Sequence, residues 1–112
     1  MGGGPAQGRG VSGRYDDILD YELGAMMSVD FMTVRGEVVD YVVVLLLLTA
    51  NGVETIRVYD SAHGFNEMHR YTRAGGKQTG TVFLIATLGE GMRAAIGDIK
   101  VGYLAMIEGW RG

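Results

Sequence analysis

The run Val38-Val39-Asp40-Tyr41-Val42-Val43-Val44-Leu45-Leu46-Leu47-Leu48 decides most of what this chain can become. Its β-branched residues suit a pleated strand, and after Asp40 no polar residue marks one alternating face as the wet one. A strand that is apolar on both faces needs cover on both. Tyr41 to Leu48 falls far short of the roughly 18 apolar residues that a membrane-crossing helix requires. A central sheet strand in a soluble, cytoplasmic protein is therefore expected, with no membrane role. Because one helix covers only one face of a small sheet, the second face points to a homodimer, formed through the Tyr41 to Leu48 strand or through a C-terminal helix.

The flanking segments fit a meander. Asn51-Gly52 is a strong signal for a type I′ hairpin, whose two central residues both need positive φ. Val53 to Tyr59 then returns antiparallel, with Val53, Thr55, Arg57 and Tyr59 alternating against Glu54, Ile56, Val58 and Asp60. Upstream, Ala25 to Val34 reads as a strand with Val29, Phe31 and Thr33 on one face, and Arg35-Gly36-Glu37 as its turn. Arg14 to Glu22 sets Tyr15, Ile18 and Leu19 at helical spacing, which predicts a short N-terminal helix. Met1 to Gly13 is glycine-rich and lacks an apolar h-region, so it reads as a flexible arm rather than a signal peptide. After an Asp60 to Asn66 loop come a Glu67 to Arg73 strand, an Ala74-Gly75-Gly76-Lys77 turn and a final strand from Thr79 to Ala86.

Thr87-Leu88-Gly89-Glu90 matches a capping box. Leu88, Met92, Ile96, Ile99, Tyr103, Met106, Ile107 and Trp110 continue it as a stripe at spacings of three and four, the pattern of a helix lying on a sheet. Gly97 and Gly102 offer close approach to a strand or partner helix, and Gly109 offers a C-terminal cap. The expected architecture is one α+β domain over residues 14–112: an antiparallel meander sheet of four to five strands with the C-terminal helix packed on one face.

Composition narrows the chemistry. There is no cysteine, hence no disulfide framework and no thiolate metal site. The net charge of −3 argues against whole-surface binding to nucleic acid and leaves a local basic patch around Arg70, Arg73 and Lys77. No Gly-rich phosphate loop follows a strand, and no nucleophile elbow is present.

The densest mixture of ionisable and aromatic side chains runs from Val58 to Tyr71 and holds both histidines, His63 and His69. Imidazole exchanges protons near neutrality, and the guanidinium fork matches phosphate oxygens. His63 and His69 are thus candidates for acid and base, Asp60 for orienting one imidazole, and Arg70, Arg73 and Tyr71 for binding substrate. Each also has a plainer role: Asp60 as a turn former, His63 as a loop residue, and His69 in a polar ladder beside Glu67 and Tyr71. Two histidines with Asp60 or Glu67 could in principle bind a metal. The spacing does not support such a site, so neither metal nor cofactor is expected.

The segments Arg57-Val58-Tyr59-Asp60-Ser61-Ala62-His63-Gly64, His69-Arg70-Tyr71 and Ile96-Gly97-Asp98-Ile99-Lys100 together resemble a family of small bacterial and archaeal proteins distantly similar to the TumE-like toxin components of toxin-antitoxin operons. The likeness spans Glu37 to Trp110. It implies a compact sheet with a C-terminal helix, an RNA-directed, ribonuclease-type activity and restraint by an antitoxin protein, with Asp60, His63 and His69 at the matching positions. The alternative from a different class is a non-enzymatic homodimeric interaction or assembly module.

Overall fold

The computed structural model describes residues 10–112. Five strands run as a continuous antiparallel meander: β1 (Val11–Asp20), β2 (Ala25–Val34), β3 (Glu37–Thr49), β4 (Gly52–Asp60) and β5 (Asn66–Thr72). Two short strands, β6 (Gly76–Lys77) and β7 (Thr81–Leu84), both pair with the outer edge of β5, β6 at its end and β7 at its start. Among the described residues the sheet therefore has seven strands rather than four or five, with the helix α1 (Leu88–Arg111) packed on one face. The final strand, expected from Thr79 to Ala86, is shortened to Thr81–Leu84, and Gly76 and Lys77, expected within the turn, form β6; between the two, Gly80 passes over the side chains of Glu67 and His69. Gly80 permits that passage: a Cβ there would collide with the Glu67 carboxylate and the His69 ring.

β3 is the centre, as its apolar run requires. Its alternate residues Tyr41, Val43, Leu45 and Leu47 are buried beneath α1, together with Ala25, Met27 and Val29 of β2 and Ile56 and Tyr59 of β4. From the helix, Ala95, Ile99, Ile107 and Trp110 complete this core, with Leu88, Met92, Ile96, Tyr103 and Met106 partly buried against it, so the expected stripe does face the sheet. The capping box forms as its residues dictate. The Thr87 hydroxyl accepts from Glu90 N–H at 3.1 Å, and the Glu90 carboxylate accepts from Thr87 N–H at 3.2 Å. No described helix is long and apolar enough to cross a membrane.

Residues 14–22 form no helix. They belong to β1 and its turn, and Val11 to Gly13, expected within the arm, begin the same strand; residues 1–9 of that arm lie outside the described residues. Pairing with β2 overrides the weak local helical pattern, since β1 supplies partners for the whole outer edge of β2. Arg14 lies opposite Asp30, and its guanidinium reaches that carboxylate at 3.3 Å. Gly13 leaves room for the Phe31 ring.

The turns also follow local chemistry, with one shift. Arg35 and Gly36 carry φ of 53° and 80°, so the hairpin with two positive-φ residues lies between β2 and β3. Between β3 and β4 the two-residue loop is Ala50-Asn51, not Asn51-Gly52. Of Ala50, Asn51 and Gly52, only Gly52 has positive φ, at 110°. Thr49 sets this register: its hydroxyl accepts from Asn51 N–H and donates to the Gly52 carbonyl, both at 3.1 Å.

The helix continues through Gly109 to a cap at Gly112. Its close-approach glycine is Gly91, which abuts Asn66, whereas a Cβ at Gly97 would meet nothing within 4 Å. Gly97→Ala should therefore stabilise the fold by about 1 kcal/mol, the helix-propensity difference at an uncrowded position. A chemical-denaturation midpoint that fails to rise would show that Gly97 has another role.

Candidate functional site

Ser61, Ala62, His63 and Gly64 form the turn between β4 and β5, with Gly64 N–H donating to Ser61 O at 2.9 Å. Gly64, at φ 85°, reverses the chain. His63 is thereby brought back over β5, four residues before Glu67, and its ring lies beside Phe65 with centroids 6.1 Å apart. Its Nδ1 sits 2.8 Å from Glu67 Oε1. The same oxygen is 3.4 Å from His69 Nε2, so a single carboxylate joins both imidazoles.

The three side chains differ sharply in exposure. His63 is 66 % exposed, whereas Glu67 and His69 are each 11 % exposed. Glu67 and His69 share the sheet face opposite α1, by the alternation of β5. His69 Nδ1–H donates to Gln78 O at 3.0 Å, so acceptors face both of its ring nitrogens and leave it a supporting position. His63 has the complementary arrangement. With Nδ1–H donated to Glu67, Nε2 is the nitrogen left to accept a proton at the surface.

Hydrogen bonding from His63, above all, holds the Glu67 carboxyl below the usual carboxylate range; burial opposes this, and the imidazole charges and the His69 contact reinforce it. A carboxyl whose pKa is lowered by folding contributes stability above its ordinary pKa, and that contribution is lost as pH falls through the lowered folded value. Glu67→Gln should accordingly unfold more easily than the wild type at neutral pH, with the difference shrinking progressively on acidification below about pH 4. Urea unfolding across that range checks this, and a gap independent of pH would contradict it.

The remaining candidates separate. Asp60 is buried, and its Oδ1 accepts from Ala62 N–H at 3.1 Å. It makes no hydrogen bond to either imidazole among the described residues, so the orienting carboxylate is Glu67 and not Asp60. Ser61 is tied into the sheet, its hydroxyl donating to Asp40 Oδ1 at 2.6 Å and accepting from Tyr41 N–H at 2.9 Å. Arg73 is occupied at the helix end: its guanidinium lies 5.9 Å from the Trp110 ring centre and donates to Arg111 O at 3.2 Å. Tyr71 is half-buried beside Lys77 on β6 and packs against the core. Arg70 is exposed, as Arg73 is, and it projects to the helix side of the sheet, opposite Glu67 and His69.

Among the described residues no group of three His, Asp or Glu side chains is arranged to hold a metal ion. A cavity of about 360 Å³ lies elsewhere, between β1, β2 and β3, and includes neither histidine. No protein-family model matches the chain, and searches of curated proteins and of solved structures find no similar protein.

Proposed function

We propose that the protein is a toxin-type ribonuclease in which His63 is the proton acceptor. One observation carries the reading: an exposed imidazole whose Nδ1 is held at 2.8 Å by a nearly buried carboxylate. A base of this kind needs a fixed tautomer, an exposed second nitrogen and a partner that stabilises the imidazolium once formed. Glu67 supplies the first and third, and His69 Nε2 lies 3.4 Å from the same Glu67 oxygen on its other side.

In RNA the step balances without a further reactant. The ribose 2′-hydroxyl gives its proton to His63 Nε2, the 2′ oxygen bonds to the adjacent phosphorus, and the 5′ oxygen departs with a proton from solvent. The resemblance around Arg57 to Gly64 favours RNA over other substrates, and an antitoxin partner would restrain the activity. The test is growth of cells induced to express the wild type, His63→Ala or His69→Ala, with the fold of each purified protein measured in parallel. Arrest by the wild type and relief by folded His63→Ala are expected; equal arrest by both would refute the role of His63.

A second reading rests on the face of the sheet away from α1. Val42, Leu48 and Val53 are exposed there, and an apolar depression of about 270 Å³ is lined by Ile18, Met26, Leu46 and Leu48 among others. Contiguous apolar surface of this kind marks interaction sites. A homodimer through β3 would cover it, and this assembly could itself be the function. Sedimentation equilibrium should then give a dimer that Leu48→Glu converts to monomer, whereas a monomeric wild type at tens of micromolar would eliminate this reading.

A further inference from the structure

Arg57 and Arg70 face each other directly across the β4–β5 ladder. Like charges at such positions are destabilising unless something neutralises them. Neither guanidinium forms an ion pair among the described residues. Among the described residues, Arg57 Nε is buried without a hydrogen-bond partner. Tyr59, two residues on, lies beside them: burial pushes its phenol up, Arg57 pulls it back, and Asp98 of α1 also faces it. Among the described residues Asp98 makes no ion pair with either arginine.

Beside this pair is a cavity of about 330 Å³ walled by Met68, Arg70, Gln78, Thr79 and Thr81. Its volume is that of a site for one small ligand or one moiety of a larger one. The Arg70 guanidinium and two threonine hydroxyls at its wall, with Arg57 directly across the ladder from Arg70, suit an oxyanion with several acceptor oxygens. We propose that Arg57 and Arg70, with the Thr79 and Thr81 hydroxyls, form a phosphate-binding subsite. The bound phosphate supplies the counter-charge that the arginine pair lacks.

The subsite rests on the ribonuclease reading only as to the phosphate's source. Arg70 and Glu67 project to opposite faces of β5, so a phosphate held here is not the one attacked at His63. In RNA it would belong to a flanking nucleotide, on a strand that passes round the edge of the sheet between β6 and β7. The alternative source is free phosphate or a small phosphate ester.

The experiment follows the melting temperature of the full chain as inorganic phosphate is titrated against chloride of equal ionic strength. A fluorescent single-stranded RNA decamer is titrated in parallel, using wild type, Arg57→Gln, Arg70→Gln and His63→Ala. Phosphate should raise the wild-type melting temperature saturably, by mass action on the folded state. It should bind at least about tenfold more weakly to either arginine variant, the loss expected for one charge-assisted fork, while His63→Ala keeps the wild-type response. Without phosphate, the arginine variants should melt no lower than wild type, because the like-charge pair is gone.

RNA binding that falls with the same substitutions identifies the phosphate as that of a polynucleotide. Phosphate binding without RNA binding supports the subsite, makes its ligand a small phosphate and removes the RNA-directed reading. No phosphate-dependent shift, or one unchanged in the variants, overturns the proposal. Arg70 is exposed, so Arg70→Gln decides the matter even if Arg57→Gln does not fold.

Discussion

His63→Ala should fold as the wild type does and lose at least about 100-fold in activity, the lower range for removal of a positioned general base. The side chain is two-thirds exposed and its one hydrogen bond among the described residues is to Glu67, so little packing is lost with it. Glu67→Gln should be intermediate. A neutral amide can still orient the ring but cannot stabilise imidazolium, and its NH₂ can present a donor to Nδ1 and so favour the wrong tautomer. His69→Ala acts one step further back, by loosening Glu67. The expected order of residual activity is therefore His69→Ala above Glu67→Gln above His63→Ala, measured as single-turnover RNA cleavage with circular dichroism to confirm each fold. If His69→Ala were the most damaging of three equally folded variants, the acceptor would have been assigned to the wrong imidazole.

The largest stability effect is expected where α1 meets β5. Asn66 is 1 % exposed. Its Nδ2 donates to the carbonyls of Leu84, Ala86 and Thr87 at 3.2 to 3.3 Å, and its Oδ1 accepts from the Tyr41 hydroxyl at 2.7 Å. One amide thus connects β3, β7 and the residues that lead into the helix. Asn66→Leu keeps the approximate volume but leaves the buried Tyr41 hydroxyl and several carbonyls without this partner. At about 1–3 kcal/mol for each buried group left unsatisfied, the loss should be on the order of 3–5 kcal/mol. That is a large share of the stability of a domain this size.

Gly91→Ala reaches the same network from the other side. Its Cβ would overlap the Asn66 side-chain amide, which is short, fully bonded and unable to swing away. The gain in helix propensity is about 1 kcal/mol, smaller than the cost of breaking the Asn66 bonds. Gly91→Ala should therefore destabilise while Gly97→Ala, in the same helix, stabilises. Denaturation midpoints that moved in the same direction would show that Gly91 is not held against Asn66.

What could be read from the chain was whatever depends on neighbours in sequence. The capping box at Thr87 and Glu90, the helical stripe to Trp110 and the double-sided strand at Tyr41 to Leu48 are each written within a few turns or one strand length. The strand from Val11 to Asp20 was hidden because its reason for being a strand is non-local: Arg14 finds Asp30 and the chain completes the edge of β2. Likewise, the late start of the last strand at Thr81 goes with Gly80 passing over Glu67 and His69, a packing relation without a local signature.

The site was legible in part for the same reason. His63 and His69 stand out in the sequence, and Glu67 and His69 share a strand face by simple alternation. Only the reversal at Gly64 brings His63 onto Glu67, and this makes Glu67 rather than Asp60 the orienting carboxylate. The importance of Asn66 had no signal beyond its place in a turn-rich segment, and the Arg57–Arg70 pair needed the β4–β5 register.

The most direct measurement is cleavage of a radiolabelled RNA oligonucleotide by purified wild type and His63→Ala in EDTA, with product ends resolved. Cleavage by the wild type to 2′,3′-cyclic phosphate ends, and at least about 100-fold less by the folded variant, is the result expected of a positioned base at His63. No cleavage by folded wild type across a range of RNA sequences, or equal cleavage by the two proteins, would contradict it.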